Sequence, residues 1–104
     1  MTAFVGNTNV LELTGLQNAL TAAYINDATV TVTVKDAAGT AVSGETWPLA
    51  MSYVAASNGD YRAVLVNGLA LLAGRKYVAH IDADGGADLD GNWQLPFWPQ
   101  TRVD

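Results

Sequence analysis

This sequence predicts an all-β protein, made of short antiparallel strands packed as a sandwich or barrel. Three observations carry the expectation. In Thr29–Lys35, Val30, Val32 and Val34 alternate with Thr29, Thr31, Thr33 and Lys35, the period of a strand with one face on a core and one in water. Valine and threonine are both β-branched and suit a pleated surface. Turn signals also recur, at Asp36–Gly39, Ser43-Gly44, Ser57–Asp60, Asn67-Gly68, Gly74, Gly85-Gly86 and Gly91-Asn92, and between them lie further alternating segments.

Taken in order, Asn9–Thr14 places Leu11 and Leu13 on one face. Leu16–Ala23 has leucine and alanine at helical spacing but is too short to hold a helix alone, and reads as one or two turns or an irregular connection. Ala28–Lys35 is the strongest strand, closed by the Asp36…Gly39 turn. Trp47–Ala55 carries Leu49, Met51 and Tyr53 on one face, and Asp60–Val66 carries Tyr61, Ala63 and Leu65. Asn67–Leu72 is expected to cross between sheets with leucines tucked inward. Arg75–Asp82 offers Tyr77, Ala79 and Ile81, and Asn92–Val103 offers Trp93, Leu95 and Phe97. Pro96 and Pro99 donate no ladder hydrogen bond, so the last segment should be an edge strand or break near Pro96. The rings of Tyr61 and Tyr77 are expected on the core, each hydroxyl held at a sheet corner.

The chain has 104 residues, which suits a single domain spanning 1–104, with residues 1–8 read as a flexible arm and Thr2–Gly15, thin in apolar residues, as a segment that orders on binding. Only 14% of residues are charged, against a usual value of about 25%. A lightly charged, strand-rich surface favours sticking, so part of it is expected to be an interface. Five basic residues against ten acidic ones give a net charge of −5, and no basic run exceeds two. Nucleic-acid binding needs clustered cations and is therefore not expected. No basic and apolar leader opens the sequence, and no apolar run approaches the ~18 residues of a bilayer-spanning helix, so no membrane partner is expected. Cysteine is absent, which removes disulfides and thiolate chemistry.

Few residues suggest chemistry. His80 is the single histidine, and no nucleophile or zinc signature accompanies it; it reads as a sheet-face side chain. Lys35 shares parity with the threonines, so it should face water rather than lie buried beside a carboxyl group. Asp82–Asn92 is the sharpest local pattern, with Asp82, Asp84, Asp88 and Asp90 interleaved with glycines. Ca²⁺ takes about six to eight oxygens, and this loop holds the candidate ligands, but position five is Gly86 and the closing Glu of an EF-hand is missing. A solvated connection is the first reading, and no cofactor is expected. Among the aromatics, Trp93 reads as core. Trp98 falls opposite Trp93 and Phe97 by alternation and reads as an exposed anchor. Phe97 and Trp47 join it as interface candidates.

The segments Tyr24-Ile25-Asn26-Asp27-Ala28 running into TVTVTVKDAAG, then TWPLAMSYVAASNGDYRAVL, then LLAGRKYVAHIDADGG, resemble small proteins encoded among the virion genes of tailed bacteriophages and prophages. The resemblance covers about residues 9–95 and carries no catalytic residues. It implies an immunoglobulin-like antiparallel β-sandwich of about seven strands, without the Cys…Trp…Cys core of antibody domains. It further implies a non-enzymatic structural protein of head–tail or tail assembly, found in the virion or in the bacterial host cytoplasm during assembly. Its expected partners are other virion proteins or further copies of itself. The competing expectation is a carbohydrate- or Ca²⁺-binding module that uses the acidic loop together with an exposed Trp.

Overall fold

The computed structural model describes residues 3–17, 23–85 and 90–101. Among them stand six strands and no helix: β1 (Asn9–Leu13), β2 (Thr29–Asp36), β3 (Leu49–Tyr53), β4 (Tyr61–Leu65), β5 (Tyr77–Asp84) and β6 (Asp90–Phe97). Each falls on one of the six alternating segments of the sequence. Their order across the sheet is β1-β4-β3-β2-β5-β6, with every neighbouring pair antiparallel. The sheet is curled, and β3 makes the bend. Its Leu49–Met51 part pairs with β2, whereas Ser52 and Tyr53 pair with β4. A strand that changes partner midway curls the sheet and lets its inner side close on one core.

That core follows the alternation. Val30, Val32 and Val34 are buried, as are Leu11, Met51, Tyr61, Ala63, Leu65, Tyr77, Ala79, Ile81 and Phe97. Burying an aliphatic side chain of this size contributes about 1.5–3 kcal/mol. The β4–β5 connection adds Leu69 and Leu71 to the core, as expected of a segment crossing between layers, while Leu72 turns outward.

Two tyrosine hydroxyls hold the connections. Tyr61 donates to the Ile25 carbonyl (2.7 Å) and accepts from the Ala28 amide (3.1 Å). Tyr77 accepts from the Leu72 amide (2.8 Å), five residues upstream. Both rings lie on the core, and Tyr77 stacks on Phe97 with centroids 5.8 Å apart.

Two expectations meet a different outcome. Six strands, not about seven, stand among the described residues. The N-terminal segment, next to β6 in space, makes one parallel bridge, Phe4 to Gln100, and no ladder. This segment is also not loose from Ala3 onward. Ala3 is buried, the Val5 amide donates to the Gln100 carbonyl and the Gln100 amide to the Ala3 carbonyl, both at 2.9 Å. The buried Asn9 amide group ties the segment to β1 by accepting from the Phe4 amide (2.9 Å) and donating to the Phe4 and Asn7 carbonyls (3.1 Å each). The last segment is the edge strand expected of it: β6 closes the sheet order and runs through Pro96, which occupies an exposed position. Residues 18–22 of the segment read as helical turns or an irregular connection lie outside the described residues.

Candidate interaction surface

Antiparallel order collects the strand ends into two poles. One pole holds the end of β5, the starts of β2, β4 and β6, and the ends of β1 and β3. The other holds the opposite ends, with the exit of β6 and the β4–β5 connection.

At the second pole the alternation of β6 continues past its last residue. Phe97 points inward and is 1% exposed, Trp98 points outward at 54%, and Pro99 is again buried. The backbone under Trp98 is fixed from two sides. The Pro99 carbonyl accepts from the Gly74 amide (2.9 Å), and Gln100 is held by Ala3 and Val5. The indole thus stands on an ordered base, which lowers the entropy lost when it is covered. The Gly74 contact also brings Trp98 beside the β4–β5 connection, where Leu72 is 54% exposed and Arg75 and Lys76 are exposed. A groove of about 660 Å³ runs between this connection and the Asp36–Ser43 turn, lined by Ala41, Ala70, Leu72, Arg75 and Lys76 among others. Asp36 also borders it, but its Oδ1 already accepts from the Ala38 and Thr40 amides, both at 2.9 Å. Neither Arg75 nor Lys76 forms an ion pair among the described residues, where the ion pair present joins Arg62 to Glu12 at 3.4 Å.

The three interface candidates therefore separate. Trp98 is at the surface. Phe97 is core, stacked on Tyr77, and offers a partner no contact area; its position on the inward parity of β6 is the reason. Trp47 is half-buried, packs against the core and donates its indole N–H to the Val42 carbonyl at 2.7 Å, so it anchors the β2–β3 connection. Leu72, Arg75 and Lys76 were not singled out in the sequence. Leu72 sits in an apolar run whose neighbours are core, and nothing local says which leucine emerges.

At the first pole Asp82 and Asp84 are exposed on the outer face of β5. Asp82 lies in register between Thr31 and Asn92, and Asp84 between Thr29 and Asp90. Asp82 Oδ1 accepts from the Asn92 side-chain amide at 2.7 Å. These residues line a hollow of about 470 Å³ with Thr29, Thr31 and Gly91. Asp88 and the side chain of Asp90 lie outside the described residues. Among those described, no three His, Asp or Glu side chains are grouped as metal ligands. Trp93 is half-buried on the inner side of β6, over Gly91, whose missing Cβ leaves room for the ring. His80 lies half-buried between Thr33 and Gln94 in register, and Lys35 is partly exposed on the same outer face.

Asp27 and Asp60 immediately precede Ala28 and Tyr61, which the Tyr61 hydroxyl joins, so they too belong to the acidic pole. Trp98 lies six residues along the chain from Asn92, roughly 20 Å at the rise of a strand. The acidic hollow and Trp98 thus stand at opposite poles.

No helix among the described residues is long and apolar enough to cross a membrane. No family model, curated protein or solved structure matches the chain.

Proposed function

We propose that this chain is a non-enzymatic structural protein with an immunoglobulin-like sandwich, acting by protein–protein contact in head–tail or tail assembly of a phage or prophage virion. Its partners are other virion proteins or further copies of itself, and it works in the virion or in the host cytoplasm during assembly. On the fold side, support comes from the strand neighbours. β1-β4-β3 has the adjacency of strands B, E and D of an immunoglobulin sandwich, and β2-β5-β6 that of C, F and G. Tyr77 adds a second support. It opens β5, the F position, and its hydroxyl bonds back to the backbone of the preceding connection, as in the tyrosine corner of such domains. Ala79 stands where antibody domains carry the second cysteine, so the sandwich is a disulfide-free one.

On the functional side, the carrying observation is the exposed Trp98 on a pinned backbone beside exposed Leu72. Large aromatics that stay outside a small core are the residues that anchor interfaces. The net charge of −5 with scattered cations argues against nucleic acid as the partner. The test is quantitative mass spectrometry of purified particles from the phage or induced prophage that encodes the chain. A structural role gives a fixed copy number per particle that survives a high-salt wash. Absence from particles and from assembly intermediates removes the role.

A further inference from the structure

We propose that the chain associates with itself head to tail, the Trp98 pole of one copy docking on the acidic pole of the next. The proposal deepens the assembly reading above and rests on it for its biological meaning, but its physical argument stands on the two poles alone. The docking surface is the groove beside Leu72, with Trp98 near it. Its two cations, Arg75 and Lys76, have no ion-pair partner among the described residues. Asp36 borders the same groove, but Arg75 and Lys76 outnumber it, so the rim favours an anionic occupant.

The chain carries such an occupant at its other end. Asp27 and Asp82 are exposed there, where β2 begins and β5 ends. Asp82 accepts from the neutral side-chain amide of Asn92 rather than from a cation. One pole thus presents what the other lacks. The two surfaces are distinct, so the contact is heterologous. Such a contact closes into a ring if the rotation between copies permits, and otherwise extends as a filament. It leaves one free Trp98 pole and one free acidic pole on every open oligomer. An isologous dimer would leave neither, and this difference makes the arrangement testable.

Sedimentation velocity of the full chain at low and at high salt reads the outcome. The expected result is a weight-average mass that rises with concentration at low ionic strength and falls when salt shortens the reach of the charges to a few ångströms. Two variants then break opposite poles, Arg75→Gln/Lys76→Gln and Asp27→Asn/Asp82→Asn. Each alone should associate at least about tenfold more weakly, a loss equivalent to ~1.4 kcal/mol. Mixed together they should form a one-to-one dimer that grows no further, since the intact acidic pole of the first meets the intact Trp98 pole of the second. The substituted side chains are exposed, and circular dichroism checks that each variant folds. Trp98→Ala supplies an independent variant free of charge changes and should weaken association equally. A monomer at every concentration and salt overturns the proposal. So does association that either charge variant leaves intact, or a mixture that yields no dimer. A chain present in particles yet monomeric in solution defeats this inference and spares the structural role. A chain that associates as described yet is absent from particles does the reverse.

Discussion

Replacing Tyr61 with Phe isolates what one hydroxyl does for this fold. The ring is 1% exposed and tilted against Tyr53 with centroids 5.7 Å apart, so Phe keeps the packing and removes a single oxygen. That oxygen makes two hydrogen bonds, donating to the Ile25 carbonyl and accepting from the Ala28 amide. Each contributes about 0.5–1.5 kcal/mol net. The backbone groups left behind belong to half-buried residues, so water recovers part of their loss. The sum is a destabilisation of about 1–3 kcal/mol. At 4–8 °C per kcal/mol for a domain of this size, a loss near 2 kcal/mol lowers Tm by roughly 8–16 °C. Urea unfolding is the assay, and the midpoint should fall with an unchanged m-value, since the surface exposed on unfolding is the same. Tyr24→Phe is the reference, because Tyr24 is about half exposed; its effect should stay within about 0.5 kcal/mol. A Tyr61→Phe variant as stable as that reference would refute the claim that this hydroxyl ties the 23–28 connection to the sheet.

Two further perturbations probe close backbone approaches. Gly59 has φ +73° and a Cβ there would lie 2.5 Å from the Leu16 carbonyl oxygen, whereas Gly39, at φ +86°, faces open space. Gly39→Ala should therefore cost only the left-handed penalty of about 1–2 kcal/mol, and Gly59→Ala distinctly more, measured side by side by urea unfolding. A Cβ on Gly91 would collide with the Trp93 ring, so Gly91→Ala should swing the indole outward; a red-shifted tryptophan emission with a stability loss of about 1–3 kcal/mol is expected, and an unchanged spectrum would contradict the packing.

Much of this fold was legible because its strands are half-buried, and half-burial writes itself as alternation. Val30, Val32 and Val34 are buried while the threonines between them are not, and the same parity separates Phe97 from Trp98. Tyr61 and Tyr77 were legible for a related reason, since a buried phenol must find a hydrogen-bond partner and sheet corners supply free backbone groups. Pairing was not legible. The split of β3 between β2 and β4, and the six-strand order with only a bridge at Phe4, depend on contacts between segments far apart in sequence. Local periodicity carries no information about them. The ordering of the N-terminal segment escaped notice because it rests on the buried side-chain amide of Asn9, a residue type ordinarily read as loop.

The same limit explains why the surface emerged only with the topology. Arg75 and Lys76 look unremarkable in a chain of net charge −5, and the aspartates at 27, 60, 82 and 84 look scattered. Antiparallel pairing turns sequence distance into polarity. Asp27 and Asp60 are drawn to Asp84 because β2 and β4 start at the pole where β5 ends, and Arg75 lies at the other because β5 starts there. A uniformly acidic surface keeps copies apart, whereas an acidic pole opposite one at which Lys35, Arg75 and Lys76 outnumber Asp36 and Glu45 favours end-to-end contact. The ion pair of Arg62 with Glu12, near the acidic pole, is neutral as a unit and leaves the aspartates there to set its sign. The direction of association therefore follows from strand polarity, and the exposed indole at one pole supplies the desolvated contact that charge alone does not.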